Sequence, residues 1–223
     1  MYHKPEFWTL FKATSLTKKD ADLTTELVFG VFPLNLNPGD RRSLITNFLV
    51  KIWNIDPVLD HLAKREEVRK MDDRELKEYM YRMFDGSFTE GFEMDEDTIW
   101  RIFGTFWKFY FRNVIEPICD LDLDQIEFMA VIWILCFDNA YINLTESTSE
   151  TCRTIRKVII KELRNYEMEK DPEDSEERFL RIMEIPLMIE RAEQHFQDEI
   201  MLYEMLKLRM HDDFRSIIRR QRI

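Results

Sequence analysis

Apolar positions along the chain recur with helical rather than strand spacing. Leu23, Leu27, Val28 and Val31 form one stripe, and Leu44, Ile45, Phe48, Leu49, Ile52 and Trp53 form a broader one. Such stripes mark amphipathic helices with one face on a core. Ile155, Val158, Ile159, Leu163 and Tyr166 predict a further surface helix. Residues 173–210 hold the pattern longest, through Phe179, Ile182, Met183, Ile189, Phe196, Ile200, Tyr203 and Leu206. Pro186 falls inside that stretch and predicts a kink rather than a stop. Ile99–Ile115 and Phe128–Phe137 are apolar on nearly every face, so both are expected between other helices.

Helix starts are marked by capping chemistry. Asn37-Pro38-Gly39-Asp40 supplies a cap, a proline at the first helical position and a first-turn carboxylate, and Asp171-Pro172-Glu173-Asp174 repeats the device. Asp72 with Glu75 and Asp122 with Gln125 have capping-box spacing. Thr17 precedes a first-turn Asp20, and Asp95 and Thr145 are further caps. Phe84-Asp85-Gly86-Ser87-Phe88 has the pattern of a turn with short strand flanks. The expected fold is all-α, a three-layer antiparallel helical sandwich with one small β-turn element near residues 84–92. Residues 1–16 are expected as a partial N-terminal helix or linker, and 17–223 as the domain.

Composition narrows the chemistry. Five glycines and seven prolines are too few for a turn-rich all-β fold or a glycine-rich phosphate loop. Hydrophobic residues make up 45%, enough for a sizeable core, and the net charge is −11. Cys119, Cys136 and Cys152 lack paired zinc spacing, and His3, His61, His195 and His211 form no ligand pattern. Neither a secretory signal nor a membrane-length apolar run occurs, which predicts an intracellular, non-membrane protein with no metal and no cofactor. Arg209, Arg215, Arg219, Arg220 and Arg222 near the end are read as a solvated face, because an acidic chain repels phosphate at long range. Asp72-Asp73-Arg74-Glu75 admits a magnesium-dependent helical enzyme of prenyl diphosphate type as an alternative. The second carboxylate cluster needed for that chemistry is missing, and Asp72 has a capping role.

A family resemblance enters with Glu26-Leu27-Val28-Phe29-Gly30-Val31-Phe32-Pro33, followed by Leu36-Asn37-Pro38-Gly39-Asp40-Arg41-Arg42-Ser43-Leu44-Ile45. A helix ending in an aromatic-proline step, followed by an L-x-x-x-D opening to the next, resembles the signature of nuclear receptor ligand-binding domains. The divergent nematode receptors related to hepatocyte nuclear factor 4 are the most similar group. Asn47-Phe48 and Lys51-Ile52-Trp53 continue the match. The turn at Asp85-Gly86-Ser87, the segment Asp122–Phe128, and residues 145–168 and 173–210 follow in the family's order.

The resemblance implies a non-enzymatic nuclear protein that regulates transcription, binds a lipid-like apolar molecule or keeps a filled core, and pairs with itself or a related receptor. A ligand-independent dimerisation module is the other alternative. Val28, Phe48, Leu49, Phe88, Phe103, Met201 and Met205 are the implied pocket lining. Gly30, Arg41, Ile45, Thr46, Phe214, Ser216 and Ile217 are the implied coregulator groove, and Met188, Arg191, His195 and Glu199 the dimer face. Gly30, Thr46 and Ser216 stand where the family usually carries the charges that clamp a coactivator helix. DNA contact is expected only through a zinc module outside this chain, since three cysteines cannot supply its ligands.

Overall fold

The computed structural model describes residues 9–62, 71–84, 86–88 and 94–221. Within them the chain forms α1 (Leu10–Ser15), α2 (Thr17–Val31), α3 (Pro38–Leu62), α4 (Asp73–Met83) and α5 (Glu96–Tyr110). A π-helical segment, Phe111–Ile115, joins α5 to α6 (Glu116–Asp120). The last four are α7 (Gln125–Cys136), α8 (Glu146–Lys170), α9 (Ser175–Met205) and α10 (Asp212–Gln221).

The predicted caps explain most starts. Asp72 Oδ1 accepts the N–H groups of Arg74 and Glu75 at 2.9 and 2.8 Å, and Glu75 answers at the Asp72 N–H at 2.9 Å. Asp95 caps Thr98, and Asn37 caps Asp40. The box expected at Asp122 forms two residues later, between Asp124 and Glu127. Asp122 instead takes a left-handed backbone, φ 49°, in the turn after α6, a conformation that a short polar side chain tolerates. Thr145 sits before α8 without capping it. Its hydroxyl is bonded to Asp40 instead. Thr17 likewise lies inside α2, donating to the Thr14 carbonyl. Asp171 accepts the Glu173 N–H one turn ahead of α9.

The fold is an all-α, three-layer antiparallel sandwich. α3 packs against α2, α7, α9 and α10, and α7 against α3, α8 and α9. α7 is buried on most sides, with Val131, Ile132, Ile134, Leu135 and Cys136 in the core. Ile99–Ile115 keeps a solvent edge at Arg101, Thr105, Arg112 and Asn113, narrower burial than expected. α3 runs through Pro57, longer than its stripe predicts. The Tyr110 hydroxyl donates to the Asn54 carbonyl at 2.6 Å, one turn before that proline.

Phe84 and Gly86–Phe88 form the expected turn, closed by Ser87 N–H on the Phe84 carbonyl at 2.9 Å. Gly86 has φ 66°, where a side chain would strain the backbone. No strand forms among the described residues. Asp85 and the flank at 89–92 lie outside them.

Candidate functional site: an aromatic interior beneath the terminal helix

Val28, Phe48, Leu49 and Phe103 are fully buried, as a pocket lining requires, but the space between the helices is filled by rings. Phe84 stacks on Phe103 with centroids 4.6 Å apart, and Tyr203 stands edge-on to both at 5.5 Å. Phe88 is half-buried, 6.3 Å from Phe84. Met201 and Met205 are 49% and 76% exposed and do not line this interior. The inward face of α9 is set by Phe196, Ile200 and Tyr203, and both methionines fall about 100° or more off it.

Glu199 also turns inward, 3% exposed, and so does not belong to an outer face. The Tyr203 hydroxyl bonds it, and Trp107 lies beside that hydroxyl. Glu199 Oε1 has no hydrogen-bond partner. Burial pushes the Glu199 carboxyl up to about 8 against the weaker pull of Tyr203.

α10 packs on α1, α2 and α3. Phe214 meets Trp53 of α3 at 4.8 Å and Phe196 of α9 at 6.4 Å, and Ile218 is buried. Ser216 is exposed, its hydroxyl turned back on the Asp213 carbonyl, and Ile217 is half-buried. Gly30 is exposed on α2, Ile45 is buried and Thr46 half-buried on α3. The Arg41 guanidinium sits 3.9 Å over the Phe29 ring, beside Gly30.

On the outer side of α9, Arg191 and His195 are exposed, with His195 4.3 Å from Phe109, and Met188 packs partly into the core. Two residues missed from sequence, Leu180 and Leu187, are 61% and 55% exposed on the same helix. Their spacing of seven, continued by Arg191 at i+4, puts all three on one exposed face of α9.

Two polar networks hold the frame. Asp40 is buried and accepts Thr145 N–H at 2.8 Å and both threonine hydroxyls, Thr145 and Thr148, at 2.6 Å. Burial alone would raise its pKa, but these bonds and that from Asn37 outweigh it and hold the carboxyl below its ordinary value. Glu127 of α7 takes a two-pronged grip from Arg178 of α9 at 2.8 and 2.7 Å, with Lys170 of α8 at 3.2 Å.

A separate polar cleft of about 340 Å³ lies between α3, the α7–α8 loop and α9. Lys51 forms part of its lining, 3.3 Å from Glu193, 3.5 Å from Asp138 and 4.0 Å from Glu190.

The other candidate chemistry is absorbed structurally. Asp72 and Glu75 cap α4, and Asp73 pairs with Lys108. Among the described residues no cluster of histidine, cysteine or carboxylate groups could hold a metal. Arg215 donates to the Leu208 carbonyl, Arg219 pairs with Glu204, and Arg209 stacks on Phe11. Arg222 lies outside the described residues. No helix is long and apolar enough to cross a membrane among the described residues.

The helical sandwich, with its terminal helix packed on α1, α2 and α3, has the fold of a nuclear-receptor-type ligand-binding domain. The profile for the ligand-binding domain of nuclear hormone receptor matches residues 2–206, and the chain belongs to that family. It is 33% identical over 206 residues to nuclear hormone receptor family member nhr-150 of Caenorhabditis elegans, covering 92% of this chain. From the same worm, nuclear hormone receptor family nhr-176 is 27% identical over 103 residues, covering 42% of this chain. Nuclear hormone receptor family member nhr-28 is 24% identical over 128 residues, covering 51% of this chain. The matches span 60%, 30% and 29% of those relatives' own lengths. Family membership sets the chain among non-catalytic domains.

Proposed function

We propose that this chain is the ligand-responsive, dimer-forming domain of a nuclear transcription regulator from the branch related to hepatocyte nuclear factor 4. Its aromatic interior takes an apolar small molecule, and α10 reports occupancy to coregulators. The observation that carries this reading is the docking of Phe214 against Trp53 and Phe196. α2 and α3, which carry buried Val28, Phe48 and Leu49, also seat the terminal helix, so a ligand favouring one arrangement shifts the position of α10. Dimer contact runs along α9, where Leu180 and Leu187 leave apolar surface beside Arg191. DNA contact belongs to a zinc module outside this sequence.

A second reading is favoured by the Phe84–Phe103–Tyr203 ring stack, which already fills the interior. In that case the domain is a ligand-independent dimerisation module with α10 permanently seated. Native mass spectrometry of the purified chain separates the two. The first reading expects a co-purifying or added apolar molecule on a folded dimer. The bare mass under all additions supports the second.

A further inference from the structure

Asp124 and Glu127 of α7, Arg178 of α9, and Tyr166, Glu167 and Lys170 of α8 meet where the three helices converge. Arg164 and Glu176 pair on the solvent side of the same junction. Arg178 donates to both Glu127 oxygens and to the Leu121 and Asp122 carbonyls. Lys170 donates to Asp124 at 2.7 Å and to Glu127 at 3.2 Å, and the Tyr166 hydroxyl donates to Asp124 at 2.7 Å. Glu127 also accepts the Asp124 N–H at 2.7 Å. Both cations therefore serve two of the three carboxylates. The third, Glu167, is 2% exposed, and its Oε1 has no hydrogen-bond partner. Lys170 and Arg178 act on it only through space, while its side chain bonds that of Glu127.

Two carboxyl groups can bond one another only while one carries a proton, because an ionised carboxylate has no donor. One proton on Glu167 also closes the charge count, leaving two carboxylates against two cations. Burial and the adjacent Glu127 charge push the Glu167 carboxyl up to about 7, against the pull of Lys170 and Arg178. Burial would raise Glu127 too, but the bonds from Arg178, the Asp124 N–H and Lys170 outweigh it and hold that carboxyl below its ordinary value.

Glu167 lies in the last turn of α8, and its carbonyl accepts the Asp171 N–H at 3.0 Å, the bond that closes the helix. A negative charge there opposes the helix dipole. We infer that the Glu127–Glu167 carboxyl pair is a pH-sensitive latch: its shared proton clamps the end of α8 to α7 and α9, and loss of that proton opens the last turn of α8 and the turn into α9. An ionised Glu167 has no donor for Glu127, and two like charges buried side by side are relieved by turning one to solvent. Arg178 lies in the first turn of α9, so the start of the helix that carries Leu180 and Leu187 is held by the same cluster.

Hydrogen–deuterium exchange of the 167–178 amides tests this in wild type and Glu167→Gln, compared with each other at pH 5.5 and again at pH 8.5. Glutamine keeps a donor for Glu127 at every pH. The ratio of wild-type to variant exchange is expected to rise about tenfold or more between the two conditions, since each pH unit between the ordinary and the raised carboxyl value weights the opened, ionised form about tenfold. A ratio that does not change with pH overturns the inference. Carbon-13 NMR of the Glu167 carboxyl in the wild type gives a check that needs no variant. Titration near neutral pH supports the latch, and titration near the ordinary 4.5 overturns it.

Discussion

Thr14 Oγ1 accepts the backbone N–H of His211 at 3.1 Å, so a side chain of α1 holds the turn that leads into α10. Leu10 is buried nearby, and the Arg209 guanidinium lies 4.9 Å from the centroid of Phe11. The terminal helix is therefore seated by residues expected only as a linker or partial helix, in addition to the helices that form the interior.

Thr14→Val removes the acceptor while keeping the shape. The half-buried His211 N–H left without a partner costs about 1 kcal/mol or somewhat more. Amides of 212–221 should exchange faster by hydrogen–deuterium exchange, while those of α7 stay unchanged. Equal protection in both proteins would show that α1 does not hold α10.

α9 ends at Lys207 in a left-handed conformation, φ 54°. Leu208 N–H returns to the Tyr203 carbonyl at 2.9 Å and Lys207 N–H to that of Glu204 at 3.1 Å. This terminal motif favours glycine at the left-handed position. Lys207→Gly should raise stability by about 0.5–1 kcal/mol, the relieved strain less the added chain entropy of glycine. Urea unfolding checks it. An unchanged or lower midpoint contradicts the assignment of strain.

Glu199 makes stability depend on pH. Its carboxyl holds a proton up to about 8 in the folded chain, against an ordinary value of 4.5. The folded state therefore binds the extra proton, and stability falls as pH rises from 4.5 towards 8. Glu199→Gln removes that slope. Relative to wild type it should gain a few kcal/mol between acidic and mildly alkaline conditions, on the scale of about 1.4 kcal/mol per pH unit. Paired denaturation curves at pH 5.5 and 8.5 measure the difference. Parallel losses in both proteins would contradict it.

Gly30, Thr46 and Ser216 supply none of the charges that usually clamp a coactivator helix, and Arg41 is committed to the Phe29 ring. A generic L-x-x-L-L peptide should bind weakly or undetectably. No atom lies within 4 Å of a Cβ added at exposed Gly30, so a side chain can start there without a clash. Gly30→Lys with Ser216→Glu should tighten binding by about one to two orders of magnitude, from terminal charges worth about 0.3–1 kcal/mol each and up to about 2 when partly buried. Fluorescence anisotropy decides. Low-micromolar binding by wild type contradicts the argument.

What could be read from the chain was local. The Asp72–Glu75 box is chemistry between residues three apart, and it formed where expected. The sequence Asp-Leu-Asp at 122–124 offered the same spacing twice, and only backbone geometry after α6 decided between them. In α9 the inward face was visible from Phe196, Ile200 and Tyr203. Met201 and Met205 were placed on it because methionine suits a pocket, against their helical phase. Glu199 continues the i+3 and i+4 run of Met188, Arg191 and His195 that predicts a dimer face, although i+3 from Phe196 puts it inside. The Lys51 cleft and the Thr14–His211 contact join segments far apart in sequence, so no spacing rule reaches them.

Hydrogen–deuterium exchange of residues 212–221, with and without saturating decanol, tests the coupling between interior and terminal helix most directly. Slower exchange of the Phe214 and Ile218 amides on ligand addition is the predicted result. Unchanged exchange while mass spectrometry shows the ligand bound would contradict it.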